Sequence, residues 1–178
     1  MRNQKTKYML QLVLPDGTIA SLAPDVPFYT SAFAHEAGHA LVALHFGVRV
    51  LGIGITQWPE RGGLLPSVSY GHALSPVSVE DECTIYAGGA AGELVACGKY
   101  TDVGVGWDKK DAESLSPEIS FETAVERAKR ILIDQHLRFE RLHRTLCERA
   151  FQSSKRLPFR TLPDGRLGVF LLRKHEFY

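Results

Sequence analysis

The sequence predicts an α+β fold that is mainly α-helical, with a small β-sheet and a hairpin at each end. Three observations lead there. Residues Phe121 to Ala150 repeat apolar side chains at intervals of three, four and seven, as one face of a helix does. A second apolar run, Ala32 to Phe46, has the length of a buried helix. Two Pro-Asp-Gly turns, at 15–17 and 163–165, each divide a pair of short apolar segments of strand length.

The first hairpin pairs Tyr8–Leu14 with Thr18–Leu22, and Pro24 and Pro27 punctuate its exit. A helix is expected to start at Thr30 or Ser31, either of which is a capping residue, and to run to about Phe46 before Gly47. Val48 to Trp58, rich in β-branched residues and glycine, reads as a strand. Pro59 to Pro66 reads as a loop, and Val68 to Tyr70 as a short returning strand. Ser78-Val-Glu-Asp81 is a helix-start pattern, and the helix should continue to Ala96–Gly98. Its centre, Ala87-Gly-Gly-Ala-Ala-Gly92, holds only small residues, and glycine in a helix interior costs roughly 1 kcal/mol relative to alanine. Close approach of a neighbouring backbone would offset that cost. Thr101 to Trp107 reads as a loop, with Asp108 opening a short helix. The segment from Phe121 to Ala150 follows as a long helix, and Phe159–Leu162 with Gly168–Leu172 forms the second hairpin.

A chain of 178 residues suits one domain with small appendages. With 44% hydrophobic and 23% charged residues it has the composition of a folded globular protein rather than a disordered one. The balance of 21 Lys+Arg against 20 Asp+Glu gives +1, so charge makes no case for a nucleic acid or an acidic membrane surface as partner. Cys83, Cys97 and Cys147 are odd in number and widely spaced, which argues for a reducing compartment rather than a disulfide framework. The most apolar stretch, Ala40 to Ile55, is broken by His45 and Arg49 and falls short of the roughly 18 residues of a membrane span. Tyr8 to Leu14 contains Gln11 and runs straight into a turn, so it reads as a strand and not a signal peptide. The expectation is a cytoplasmic protein.

His35-Glu-Ala-Gly-His39 carries the chemistry. On a helix, residues four apart share a face, about 6 Å between them, so both imidazoles can reach one cation. Glu36 can then address a water held by that cation. Zinc suits such a site, because neutral imidazole binds it well and a catalytic centre keeps three protein ligands and one open position. The metal lowers the pKa of its water to roughly 7, the glutamate takes the proton as the water attacks a peptide carbonyl, and the same carboxyl passes it to the leaving amine. A shuffled chain of this composition would contain His-Glu-x-x-His with a probability of roughly 0.02, so chance is a poor explanation. Spacing does not select a third ligand. His72, Glu93, Asp102, Asp108, Asp111, His136 and His143 are all candidates, whereas His45 lies about 240° around the helix from His39 and faces away. By spacing alone, Asp108 reads as a helix cap and Glu93 as a solvated helix residue.

Ala34-His-Glu-Ala-Gly-His-Ala-Leu-Val-Ala43 resembles the metallopeptidase domain of the FtsH family of AAA+ zinc proteases, whose metal helix carries the same His-Glu-Ala-Gly-His-Ala. Tyr86-Ala-Gly-Gly-Ala-Ala-Gly-Glu-Leu-Val95 is similar to that family's second helix, and Gly104-Val-Gly-Trp-Asp-Lys-Lys-Asp-Ala112 falls where the family's third zinc ligand opens the next helix. The segment from Ala128 to Leu146 resembles the family's late long helix, so the likeness covers roughly residues 31 to 150. It implies a zinc metallopeptidase domain at 30–150, with His35, His39 and Asp108 as ligands and Glu36 as general base. The β-hairpin extensions at 1–29 and 151–178 lie outside it but are expected to pack into one compact unit. Close packing of Gly38 against Gly88, Gly89 and Gly92 would bring Glu93 behind a ligating imidazole, where a carboxylate fixes the ring's orientation.

The departures from the family shape the expected function. Ala90 and Leu94 stand where the family has arginine and a second glutamate, and Trp107 replaces the asparagine before the ligand. No Gly-x-x-x-x-Gly-Lys-Ser/Thr loop occurs, so the expectation is a freestanding, ATP-independent endopeptidase acting on peptides or unfolded protein segments. The alternative is a catalytically silent, zinc-binding module that serves protein–protein interaction or regulation. The family's proteolytic domains form rings, so the resemblance also allows a homo-oligomer, or a separate partner protein that supplies unfolding. Val48–Trp58 could receive an extended substrate as an added strand, or equally be an ordinary sheet strand with no substrate role.

Overall fold

A computed structural model describes residues 10–22, 26–58, 63–151, 157–163 and 165–178. The order is β1 (Leu10–Val13), β2 (Ile19–Leu22), α1 (Val26–His45), β3 (Val48–Trp58), β4 (Gly63–Ala73), α2 (Val79–Tyr86), α3 (Gly88–Cys97) and α4 (Asp102–Leu115). Then come α5 (Phe121–Asp134), α6 (His136–Phe151), β5 (Leu157–Pro158), β6 (Arg160–Thr161) and β7 (Leu167–Arg173). The fold is α+β and mainly helical, with two small sheets of order β2-β1-β5 and β4-β3-β7-β6.

Helix α1 is the centre of the molecule. Phe33, Ala34, Ala37, Ala40, Leu41, Val42 and Ala43 are all buried, so it is covered on nearly every side. It begins at Val26, four or five residues before the expected caps. Pro27 fits the first turn, where its missing N–H has no helical partner to lose, and the Ser31 hydroxyl is used elsewhere. Gly47, at φ 75°, ends the helix in the left-handed region that glycine tolerates.

Strand β4 runs from Gly63 to Ala73 and is much longer than the expected Val68–Tyr70; residues 59–62 of the expected loop lie outside the described residues. Pro66 is no obstacle because β4 is an edge strand, pairing among the described residues only with β3. Strand β3 is instead interior, with β4 on one side and β7 on the other. Both its edges are taken at 52–56, so that stretch does not accept a further strand, and there the ordinary sheet strand is the reading that holds. Tertiary pairing with β7, 110 or so residues away in sequence, is what closes the edge.

The helix expected from Ser78 to Gly98 is two helices divided at Ala87. Ser78 caps the first, its Oγ accepting from the Asp81 N–H at 3.1 Å, and Gly98 closes the second in the left-handed conformation at φ 73°. The expected loop at 101–107 is also corrected. Helix α4 starts at Asp102 and carries Gly104 and Gly106 inside it, which places Asp108 in the helix interior rather than at a cap. The long helix at 121–150 breaks at Gln135 into α5 and α6. Its apolar face is as expected: Phe121, Ala124, Val125, Ala128, Ile131, Leu132, Phe139, Leu142 and Leu146 are all buried.

At the C-terminal end, β6 and β7 pair as a hairpin, and β7 joins the main sheet beside β3. Asp164, in the turn between them, lies outside the described residues. Strand β5 runs parallel to β1, so the chain's two ends meet in the smaller sheet.

Candidate metal centre

The site is assembled where α1, α3 and α4 meet. Gly38 of α1 faces Gly88 and Gly92 of α3, and there is no room between them for side chains. A Cβ on Gly38 would run into the Gly88 carbonyl oxygen, and one on Gly92 into the Ala34 carbonyl oxygen. A Cβ on Gly89 would strike the His35 ring itself, and one on Gly104 would come within 3.0 Å of His35 Cε1. The small-residue helix and the glycine in α4 thus make the space that the His35 ring fills.

His35 and His39, one turn apart, bring their Nε2 atoms to 3.0 Å of each other. Asp108 Oδ2, from α4, stands 3.0 Å from His35 Nε2 and 3.2 Å from His39 Nε2. Four ligands at about 2.0–2.1 Å from a tetrahedral zinc are separated by roughly 3.3 Å, close to the triangle observed here. Two imidazole nitrogens and a carboxylate oxygen are also a donor set zinc accepts, so the residues fit the ion.

The outer ring nitrogens are held as well. The His39 Nδ1–H donates to the Ile85 carbonyl oxygen at 2.8 Å, and the His35 Nδ1–H donates to Glu93 Oε1 at 2.9 Å. Each bond leaves Nε2 as the atom turned towards a cation. Glu93 is 2% exposed and fully engaged. Its Oε2 accepts from the Ser31 hydroxyl at 2.6 Å, the Thr101 N–H at 3.0 Å and the Thr101 hydroxyl at 3.2 Å. It is thereby a buried positioning group and not the solvated helix residue its spacing had indicated.

Electrostatics follow the geometry. Burial works against the protonated form of His35, but hydrogen bonds to Asp108 and Glu93 outweigh it and lift its pKa to about 10. Burial would raise the Asp108 carboxyl, yet the charge of His39 and hydrogen bonds from both histidines hold it well below the usual range. For Glu93, burial is outweighed by the His35 and Ser31 hydrogen bonds, and its pKa is lowered. Glu36 has no such support. Burial pushes its carboxyl up, against the pull of His35 and His39, while the Val68 backbone hydrogen-bonds it.

Among the other expected candidates, His72 and Asp111 line the cleft without joining the trio, and His136 is exposed outside it. His143 Nε2 donates to the Thr30 carbonyl oxygen at 2.9 Å. The Asp102 side chain lies outside the described residues. His45 is exposed.

The trio and Glu36 open on a cleft of about 1480 Å³ whose walls include Val68, Tyr70, Tyr86, Trp107 and Arg166. Arg166 borders it from just before β7, lying 4.8 Å over the Trp58 ring and donating to the Val68 carbonyl oxygen at 3.0 Å. Sequence reasoning missed these walls, and also Ser31 and Thr101. For Ser31 a signal existed, since it precedes His35 by four residues and shares its face. For Thr101, Tyr70 and Arg166 there was none. No protein-family model matches this chain, and no curated protein matches it.

Proposed function

We propose that this protein is a zinc-dependent metallopeptidase that hydrolyses peptide bonds in peptides or unfolded segments without ATP. The observation that carries the reading is the convergence of His35 Nε2, His39 Nε2 and Asp108 Oδ2 beside a carboxylate that none of them consumes. The likeness of residues 31–150 to the FtsH peptidase domain agrees with it, although fold likeness alone does not transfer activity.

His35, His39 and Asp108 would hold the ion. Zinc, when bound, supplies a Lewis acid that brings water within reach of deprotonation near neutral pH. Glu36 accepts the proton of the attacking water on its carboxylate, and its raised pKa lets it keep that proton until the leaving amine takes it. Glu93 and the Ile85 carbonyl fix the two imidazoles so that neither ring must reorient during the reaction. The edge of β4 that no other described strand pairs with runs along the cleft, and main-chain pairing there suits an extended peptide of little fixed sequence.

The test is metal content paired with cleavage of casein and of a peptide library. Wild type should hold one zinc per chain and lose both zinc and hydrolysis to a chelator. Glu36→Gln should keep the zinc and lose on the order of 10²- to 10⁴-fold in kcat. His35→Ala, His39→Ala and Asp108→Ala should lose the metal. A zinc-loaded wild type that cleaves nothing would favour the silent-module reading, and a fully active Glu36→Gln would reject the mechanism.

A further inference from the structure

The cleft holds a second polar group that the reaction above does not use. Strand β4 passes beside Glu36 along the same cleft, and the Val68 backbone is near enough to favour the charged form of its carboxyl. Two residues further on is Tyr70, which lines the same cleft as His35, Glu36, His39 and Asp108. The register of β3 against β4 shifts at this point: Val50 pairs with Tyr70 and Gly52 with Ser69, leaving Leu51 as an extra residue. Such bulges re-aim the side chains around them. Tyr70 is 39% exposed and borders the cleft. Among the described residues nothing hydrogen-bonds its hydroxyl.

We infer that Tyr70 is a further catalytic residue, whose O–H donates a hydrogen bond to the peptide carbonyl oxygen as that oxygen gains charge. The assignment rests on the peptidase reading. When water adds to a peptide carbonyl, the electron pair of the C=O bond moves onto oxygen, and a donor already in place stabilises that charge at little reorganisation cost. The phenol keeps its proton throughout. Burial, and then the negative charges of Glu36 and Asp108, hold the Tyr70 pKa well above its usual value, so the hydroxyl is a donor at every working pH. Tyr86 also lines the cleft; burial raises its pKa, and then the charges of Asp111 and Glu82 ahead of Asp108.

The inference is tested on the full, zinc-loaded chain with Tyr70→Phe, which keeps the ring and its packing. Expected is a kcat lowered roughly 100-fold, with KM, zinc content and thermal midpoint unchanged. A phosphinic peptide, whose tetrahedral anionic group imitates the charged oxygen, should lose affinity by a similar factor. The corresponding amide peptide should bind equally to Glu36→Gln and to the Glu36→Gln, Tyr70→Phe double variant. Unchanged kcat and phosphinic-peptide affinity would overturn the inference, as would a loss confined to KM. Failure of the peptidase reading looks different: wild type would neither cleave peptides nor bind the phosphinic peptide, and the role of Tyr70 would fall with it.

Discussion

His35 stands between two carboxylates, Asp108 at Nε2 and Glu93 at Nδ1, and both favour its charged form. In the metal-free protein it is therefore an imidazolium up to a pH of about 10, while zinc requires the neutral ring. Binding must release that proton. Calorimetric titration with zinc at pH 8, in buffers of different ionisation enthalpy, should show close to one proton released per ion; none released would contradict the assignment. The same shift affects folding. A pKa raised above 6.5 contributes stability that is complete below pH 6.5 and is lost as pH rises through about 10. Chelated protein should accordingly unfold at lower urea at pH 9.5 than at pH 6.5, which equilibrium unfolding measures directly.

At the scale of elements, the contact of α1 with α3 explains glycines that helix propensity alone disfavours. Gly38 and Gly92 face backbone oxygens across the contact, and added methyl groups have nowhere to go. Gly38→Ala should destabilise the protein by about 1–3 kcal/mol and weaken zinc binding, because α1 can only move away from α3 together with its histidines. Gly106 makes the contrast. It lies within α4, and a Cβ there would meet nothing within 4 Å. Gly106→Ala should stabilise by about 0.5–1 kcal/mol through helix propensity and the reduced freedom of the unfolded chain. Urea unfolding of the two variants tests both signs. An equal response would mean that the contact is looser than these positions indicate.

For the whole molecule, the C-terminal strand is part of the scaffold that supports the cleft. Strand β7 buries Val169, Leu171 and Leu172 against the sheet, and its pairing turns β3 into an interior strand. Arg166, just before it, reaches the β4 residues that border Glu36. Removing residues 151–178 would expose the β3 edge together with a row of buried side chains. The truncated chain should lose cooperative thermal unfolding and aggregate. A soluble, cooperatively folded 1–150 fragment would show that the C-terminal segment is an appendage after all. No helix among the described residues is long and apolar enough to cross a membrane.

Local signals made much of this legible. The 3.6-residue period revealed the buried face of α5 and α6, the Pro-Asp-Gly turns revealed both hairpins, and the four-residue spacing put His35 and His39 on one face with Glu36 beside them. These features depend on residues near one another in the chain, where helix and turn geometry act directly. What spans the chain was not readable in the same way. Asp108 looked like a cap because the glycines before it disguise a helix, and only the His35 ring lying against Gly104 shows why a glycine is needed there. Glu93 looked solvated by spacing alone, whereas the family resemblance implied a place behind a ligating imidazole, and the contact of α3 with α1 puts it there. The open edge of the sheet passed from β3 to β4 because β7 returns from the far end of the chain to pair with β3. The sequence by itself placed His35, Glu36 and His39 on one turn of a helix, the pattern from which cation binding and proton transfer are expected. The tertiary structure decided what spacing had left open, bringing Asp108 to both imidazoles and Glu93 behind His35 as the resemblance implied, and it alone decided which strand borders the cleft, since each depends on a contact between distant segments.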